Sequence, residues 1–254
     1  MQILLASAKI MNDVLKATPN VNLRTPRFAN EAETFACEMA QYSTEQLAEI
    51  FGCSQQIATQ NKLRFMRFFE ETTKIPAILA YHGQAYKHLK AELLSEKDLI
   101  YAQNHLWITS FLYGLLRPLD AILPYRMEGN IELPSGTGVN MFGFWKSRLT
   151  DVLIDAVKTD DGILVHLATE EYQHLFDWKR VHNEVRVVQP LFYVKKNGEL
   201  KMQAVWAKTC RGAMTRFIIE KRITKLEDLC GFIYEGFEYA HDLGEADFPH
   251  FIKQ

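Results

Sequence analysis

Apolar and polar residues alternate along this chain with both helical and strand-like periods. The apolar run that opens the chain predicts a strand over Gln2–Ala8. Further strands are predicted over Ala77–Tyr81, Gly162–Ala168, Arg186–Val194, Glu199–Trp206 and Phe232–Tyr239. Helices are predicted over Glu31–Gln41, Thr44–Phe51, Gln55–Thr72, from Glu96 onwards, over residues 141–157 and over Lys208–Arg222. This mixture predicts an α+β fold with a central sheet surrounded by helices.

Three local signals sharpen these predictions. Ser43 and Gln46 form a capping box for the helix Thr44–Phe51. The pair Asn197-Gly198 between two apolar runs predicts a tight β-hairpin. The helix Gln55–Thr72 is expected to bury the side that carries its apolar residues, which are Ile57, Leu63, Phe65, Met66 and Phe69.

Composition adds limits on size and class. The chain has 254 residues, 48% hydrophobic and 24% charged, which excludes a disordered, collagen-like or coiled-coil protein. The turn-rich segment 129–138 is too short for a domain boundary, and no internal repeat or low-complexity linker is visible. We therefore expect a single domain over residues 1–254.

Cysteine content and hydropathy favour a cytoplasmic protein without a membrane span. The four cysteines, at positions 37, 53, 210 and 230, form no CxxC pair, so a zinc site or a disulfide framework is not expected. The apolar stretch Leu106–Leu116 is shorter than the roughly 20 residues that a membrane helix needs. The amino terminus lacks a basic start, so it predicts a strand rather than a signal peptide.

Charge is distributed unevenly although the net charge is only −2. Residues 62–90 carry six basic and two acidic side chains, and residues 201–226 carry seven basic side chains against Glu220 alone. Residues 227–254 reverse this pattern, with seven acidic side chains and one lysine. The near-neutral total thus excludes a protein that binds nucleic acid by bulk charge alone, but not a local basic site. The basic segments are either solvated helix faces or a groove for an anionic ligand.

The segment 47–58 has the pattern of a helix–hairpin–helix, which we place within residues 43–72. Gly52 can adopt positive φ and end the first helix, Cys53 is expected to face inward, and Ser54 can cap the second helix. The amides at the start of that second helix can hold a backbone phosphate, and Lys62 can add charge. The motif normally has a second glycine where Ser54 stands, so an ordinary corner between two helices is the alternative.

Several cations lie beside turns or small residues, and these are candidates for an anion or DNA cleft. They are Lys9, Arg117, Arg126, Lys208, Arg211 and Arg216, with Tyr113 among the tyrosines that offer stacking faces. Alternatively, the arginines form internal pairs, for example Arg117 with Asp120 and Arg126 with Glu128. Spacing alone leaves both arrangements open.

Motifs for nucleotide binding and metal hydrolysis are absent from the sequence. It contains no Walker A sequence, GxGxxG, GxSxG or HExxH. Histidines and carboxylates show no ligand spacing, so neither a metal site nor a cofactor is expected.

A series of motifs in fixed order resembles the YaaA family of bacterial peroxide stress proteins. They are LLASAK at 4–9, YHGQAYKHLKA at 81–91, LYGLLRPLD at 112–120, PYRME at 124–128, FW at 144–145, LATEEY at 167–172 and AKTCRGAMTRFI at 207–218. The resemblance spans nearly the whole chain. Two positions depart from the family pattern: Ser7 stands where the family usually has proline, and His82 where it commonly has lysine.

The resemblance implies a single-domain mixed fold with a helix–hairpin–helix, DNA binding through that element and a basic cleft, and protection against hydrogen peroxide by limiting free intracellular iron. By this pattern the six cations named above are cleft residues. Binding directed by backbone and shape is then expected to favour forked, open or distorted DNA. The alternative is an enzyme that acts on a nucleotide or a nucleic-acid base in the cleft, which a closed pocket around Lys9 and Lys208 would favour.

Overall fold

The computed structural model describes residues 1–14, 21–133 and 138–254. Its helices are α1 (Ala29–Met39), α2 (Thr44–Phe51), α3 (Gln55–Met66), α4 (Ala77–Ala80), α5 (Gln84–Leu89), α6 (Glu96–His105), α7 (Met141–Thr159), α8 (Trp178–Glu184), α9 (Ala204–Lys221) and α10 (Leu226–Leu229). Its strands are β1 (Gln2–Leu5), β2 (Ile75–Pro76), β3 (Leu106–Ser110), β4 (Gly114–Leu116), β5 (Ala121–Ile122), β6 (Ile163–Leu167), β7 (Arg186–Val188), β8 (Leu191–Lys196), β9 (Glu199–Lys201), β10 (Phe237–Glu245) and β11 (Phe248–Lys253). The predicted α+β fold is confirmed.

The main sheet has five strands in the order β4-β3-β1-β6-β7. Strand β1 lies in its centre and pairs in parallel with β3 on one side and β6 on the other, where Leu4 lies opposite Trp107 and His166. All four residues of β1 are buried. The apolar run at the start of the chain therefore forms a central strand that is covered on both faces, as is typical of parallel sheets.

The connections that follow β1 lead to opposite sides of this strand. From β1 the chain passes first to β3 and later to β6, which lies on the opposite side of β1. The carboxyl ends of these three parallel strands meet at one edge of the sheet, and two diverging crossovers leave a crevice there. In open α/β sheets such a switch point is where ligands bind.

The second sheet has the order β10-β11-β8-β9 and contains the predicted hairpin. Asn197 and Gly198 both have positive φ, 53° and 83°, as a two-residue type I′ turn requires. The strand predicted over Arg186–Val194 is divided at Gln189-Pro190, so that β7 joins the main sheet and β8 the second.

The strand predicted over Phe232–Tyr239 was wrong at its beginning. Glu235 and Gly236 have positive φ and form a turn in which Tyr234 and Phe237 face each other. Strand β10 therefore starts only at Phe237, and β11, which follows it, was not predicted.

The strand predicted over Ala77–Tyr81 was also wrong, because most of this segment is the short helix α4. Its amides bond to a neighbouring loop, Ala77 N–H to the Asp120 carbonyl and Ile78 N–H to the Pro118 carbonyl. The run Ala77-Ile78-Leu79-Ala80 is buried on every side. A short apolar run without alternation does not distinguish a buried strand from a buried helical turn.

Helices α2 and α3 agree with their predicted starts but not with the predicted buried side of α3. The capping box of Ser43 and Gln46 is present, and α2 ends at the expected Phe51. Helix α3 ends at Met66, and it packs through Ala58, Asn61 and Phe65. The other apolar side chains of this segment are partly exposed, namely Ile57, Leu63, Met66 and Phe69. The smaller residues Ala58 and Asn61 allow α3 to approach its neighbours, so they decide which side is buried.

The remaining elements match their predictions with shifts of a few residues at their ends. Helix α7 covers the helix predicted over 141–157, and α9 begins at Ala204 rather than Lys208. The segment after β6 is a 3₁₀ helix, Glu170–Leu175. No helix in the described ranges is both long and apolar enough to span a membrane.

Candidate functional site

A cavity of about 370 Å³ lies at the carboxyl edge of the main sheet, at the switch point beside β1. We call it the sheet-edge cavity. It is lined by Leu5, Ala6, Ser7, Ala8, Lys9, Ile10, Gly83, Gln84, Ala85, Tyr86, Leu167, Thr169, Glu171, Tyr172, Lys208 and Arg211. Three of the predicted cleft cations thus converge on one cavity, which has an apolar wall and several hydroxyl groups.

The loop that follows β1 forms one wall, and hydrogen bonds hold its shape. The Ser7 hydroxyl lies 3.1 Å from the Tyr172 hydroxyl, and the Tyr86 hydroxyl donates to the Ala6 carbonyl at 3.0 Å. Gly83 allows the start of α5 to approach this loop, because a Cβ there would lie 2.6 Å from the Ala8 Cβ. Lys9 follows this fixed segment, and its side chain is 58% exposed.

Helix α9 supplies the opposite, cationic wall. Lys208 and Arg211 lie one turn apart on the same side of α9. Gly212 makes this placement possible: a Cβ at this position would lie 1.8 Å from the Ala85 carbonyl oxygen of α5. The backbones of α5 and α9 therefore cross in contact, and the crossing brings both cations to the cavity.

Arg211 is half-buried and has no ion pair within residues 1–14, 21–133 and 138–254. Burial lowers the pKa of its guanidinium, and the charge of Glu170 partly opposes this effect. A partly desolvated guanidinium with five N–H donors is costly without an acceptor. This makes Arg211 the strongest anion-seeking group of the cavity.

A three-residue charge cluster connects the sheet-edge cavity to the turn between α2 and α3. Glu128, whose side chain is only 10% exposed, forms ion pairs with Lys9 at 2.7 Å and with Arg126 at 2.9 Å. Arg126 also lies 3.4 Å from the Phe51 carbonyl and 5.9 Å from the centre of the Phe51 ring. Phe51 is the last residue of α2, so the turn at Gly52 lies beside this cluster. The predicted pair of Arg126 and Glu128 is present.

The turn between α2 and α3 has the backbone that the sequence predicted. Gly52 is left-handed (φ 54°, ψ 47°), and the Ser54 side chain accepts the Ile57 amide. Cys53 is half-buried, and its amide bonds to the Ala48 carbonyl. The amides of Gln55 and Gln56, the first two residues of α3, have no intrahelical acceptor and are donors at this helix start.

Three predicted cations lie elsewhere and bind internal carbonyls. Arg117 lies at the opposite end of β1, where it donates to Gln2 Oε1 and to the Leu106 carbonyl and stacks 3.3 Å from the Trp107 ring centre. Arg216 donates to the Leu89 and Lys90 carbonyls at the end of α5, and Lys62 donates to the Ala40 and Tyr42 carbonyls after α1. In this structure none of these three guanidinium or ammonium groups faces the sheet-edge cavity.

Arg117 and its sequence neighbour Asp120 form a buried polar site rather than a surface pair. The Arg117 amide donates to Asp120 Oδ2 at 2.8 Å. Burial raises the pKa of Asp120 to about 6 and lowers the pKa of Arg117 to about 10. These shifts are those of groups that the fold removes from water.

Tyr113 and two other tyrosines form a buried cluster behind the cavity. The Tyr113 hydroxyl accepts the Leu123 amide, and the Tyr125 hydroxyl lies 2.8 Å from that of Tyr81 and 2.6 Å from Ser110 Oγ. Burial raises the pKa of Tyr125 to about 12. Their rings are not exposed as stacking faces, whereas Tyr86 and Tyr172 do border the cavity.

Sequence reasoning missed the cavity residues Ser7 and Thr169, which follow strand ends, and Gln84 at the start of α5. Their signal was position: Ser7 and Thr169 each follow a buried strand by two residues. Across the described residues, no group of three or more histidine, cysteine, aspartate or glutamate side chains is placed to hold a metal ion.

The sequence model of the family described as peroxide stress protein YaaA matches residues 1–243. A UPF0246 protein of Bacteroides thetaiotaomicron is 46% identical over 247 residues, which cover 96% of this chain and 95% of that protein. One of Phocaeicola vulgatus is 47% identical over 229 residues (90% and 89%), and one of Porphyromonas gingivalis is 38% identical over 256 residues (100% of both). The chain therefore belongs to the YaaA family of peroxide stress proteins.

Proposed function

We propose that this peroxide stress protein binds DNA through the α2–α3 turn and the sheet-edge cavity, and that it acts in the cytoplasm. The observation that carries the proposal is the connection between the two sites. The turn at Gly52 lies beside Arg126, which pairs with Glu128, and Glu128 also pairs with Lys9. Lys9 in turn lines the cavity that also contains Lys208 and Arg211. One strand of nucleic acid can follow this path and meet cations along it.

The two parts have different roles in this proposal. As a helix–hairpin–helix, the α2–α3 turn offers the amides of Gln55 and Gln56 and the positive end of α3 to one backbone phosphate. In the cavity, Arg211 is half-buried, so a phosphate must leave the surface of a regular duplex to reach it. The protein is therefore expected to prefer forked, open or distorted DNA.

Protection against peroxide follows from the family role that the resemblance implies, which is to keep free intracellular iron low. Less free iron means less hydroxyl radical formed beside DNA. We attach no residue of this chain to iron itself.

Fluorescence anisotropy with duplex, single-stranded and forked DNA at several salt concentrations tests DNA binding. Each phosphate contact contributes a slope of about 0.9 to the dependence of log affinity on log salt. The double variant Lys208→Ala/Arg211→Ala is expected to reduce that slope by about two units. The control Lys221→Ala/Lys225→Ala removes the same charge from exposed positions away from the cavity, and an equal effect of both doubles would refute a local contact.

The α2–α3 turn is tested with a pair of matched glycine variants. Gly52→Ala and Gly198→Ala both place a Cβ on a left-handed residue in open space, so both carry a similar strain of about 1–2 kcal/mol. Only Gly52→Ala is expected to weaken DNA binding. Equal affinity of the two folded variants would remove the turn from the interface.

A second candidate function is an enzyme that acts on a nucleotide or a nucleic-acid base. It is favoured by the cavity, whose volume lies within the roughly 300–1,000 Å³ typical of small-molecule sites and whose place is a switch point. Incubation with DNA and with nucleotides, followed by mass spectrometry of both, tests this function. An unchanged substrate in every incubation would exclude it.

A further inference from the structure

We propose that the sheet-edge cavity binds one nucleotide unit, a phosphorylated deoxynucleoside that is either free or turned out of a DNA strand. This inference rests on the proposed function in one respect, the DNA strand as a source. The first argument is size. A cavity of about 370 Å³ exceeds what a phosphate ion fills and suits a small organic ligand.

The second argument is the separation of charge and apolar surface within the cavity. The cationic wall of Lys208 and Arg211 can hold a phosphate, and the unpaired guanidinium can do so with two parallel N–H donors. The opposite wall is formed by the loop after β1 and by the end of β6, and its apolar members are Leu5, Ala6, Ala8, Ile10 and Leu167. A deoxynucleoside monophosphate has the matching division, with an anionic phosphate at one end and a flat base at the other.

The third argument is that the wall residues are held in place before any ligand arrives. Tyr172 stacks on Phe111 with ring centres 5.0 Å apart and planes 16° apart, and its hydroxyl is held by Ser7. The Tyr86 hydroxyl is held by the Ala6 carbonyl. Rigid walls lower the entropic cost of binding a ligand.

The fourth argument concerns the hydrogen-bonding edge of a base. Glu171 lines the same cavity and is exposed, so its carboxylate is free to accept N–H groups such as the exocyclic amines of adenine, cytosine or guanine. Thr169 makes no side-chain capping bond at the start of the 3₁₀ helix, which leaves its hydroxyl available. The sheet-edge cavity thus offers an anion site, an apolar slot and polar groups in one place.

Calorimetric titration with the four deoxynucleoside monophosphates, with deoxyadenosine and with inorganic phosphate tests the site directly. The monophosphates are expected to bind at least about tenfold more tightly than either fragment, because only they use both walls. Arg211→Met should weaken monophosphate binding by about tenfold to a hundredfold, as expected for a lost charged hydrogen bond. The control Lys221→Met lies on the same helix, about 15 Å from Arg211 at 1.5 Å per residue, and should change nothing.

A second variant fills the cavity without changing charge. Thr169→Phe is expected to abolish monophosphate binding, while its circular dichroism stays that of the wild type. DNA that carries 2-aminopurine at an unpaired position then identifies the source of the ligand. Its fluorescence should change on binding to the wild-type protein and to Lys221→Met, but not to Thr169→Phe.

The outcomes separate this proposal from DNA binding as such. Forked DNA that binds while no monophosphate does, with 2-aminopurine unaffected, overturns the nucleotide site and leaves DNA binding standing. Monophosphates that bind while no DNA does overturn the proposed function and identify the site as one for free nucleotides. Monophosphate binding that survives Thr169→Phe places the ligand outside the sheet-edge cavity and overturns the assignment.

Discussion

Gly212→Ala is expected to be one of the most damaging single-methyl additions to this protein. The new Cβ would lie 1.8 Å from the Ala85 carbonyl oxygen, 2.6 Å from its carbonyl carbon and 2.8 Å from its Cα. All three atoms belong to the backbone of α5, so no side-chain rotation can relieve the contact. Helices α5 and α9 must move apart by more than 1 Å, roughly the gap to an ordinary carbon–oxygen contact.

The magnitude follows from two opposing effects. Overpacking of this kind costs about 1–3 kcal/mol or more, whereas alanine gains about 1 kcal/mol over glycine within a helix. Because the obstacle is backbone, we expect the upper end, a net loss of about 2–3 kcal/mol in the free energy of unfolding. Urea denaturation followed by circular dichroism measures this loss.

Gly143→Ala is the matched control, since this glycine lies in α7 and is exposed, and its nearest contact would be the Val139 side chain at 3.3 Å. Its unfolding free energy is expected to stay within about 1 kcal/mol of the wild type. If Gly212→Ala were as stable as Gly143→Ala, the close crossing of α5 and α9 would be refuted. The crossing of α5 and α9 also fixes the position of Arg211 at the cavity. Gly212→Ala should therefore weaken binding of forked DNA even where the fold survives.

Three further changes have distinct expected outcomes. Because the pKa of Asp120 is raised in the folded protein, the folded state binds this proton more tightly than the unfolded state does. As the pH rises from 4 to 7, the wild type should therefore lose stability relative to the variant Asp120→Asn, by at most about 3 kcal/mol in urea titrations. Glu128→Gln raises the net charge of Lys9, Arg126 and residue 128 from +1 to +2, so the salt slope for DNA should steepen by about one unit; an unchanged or flatter slope would contradict this. Lys62→Met loses the bonds to two carbonyls after α1 and should lower stability by about 1–3 kcal/mol with an unchanged salt slope.

The features that the sequence predicted well are set by neighbours along the chain. The capping box of Ser43 and Gln46 and the turn of Asn197 and Gly198 each need only a few consecutive residues. The strand predicted for the apolar run Ala77–Tyr81 was wrong because the loop that accepts hydrogen bonds from its amides comes from residues about 40 positions later in the chain. A local sequence pattern indicates only a preference for helix or strand. Tertiary contacts decide between a buried strand and a buried helical turn.

Prediction of the candidate site from the sequence was limited even more by its dependence on tertiary contacts. Lys9, Lys208 and Arg211 were predicted together and do line one cavity. Arg117 was predicted beside them but lies at the other end of β1. Which end of a sheet a loop occupies depends on strand order and direction, which spacing in one sequence does not reveal. Ser7 was missed as a cavity residue for the same reason.

The charge cluster around Glu128 explains how a cationic path can exist in a stable protein without its ligand. Lys9 and Arg126 both bind this one carboxylate, so their summed charge of +2 is reduced to +1 and their side chains are held while no other anion is present. Lys9 is largely exposed and can exchange the carboxylate for a phosphate at little cost, since exposed ion pairs contribute only about 0–1 kcal/mol. Arg126 is half-buried beside Phe51 and stays in place. The cluster therefore keeps the α2–α3 turn and the sheet-edge cavity in a fixed relation, and it leaves Lys9 available to the DNA strand that we propose as the ligand.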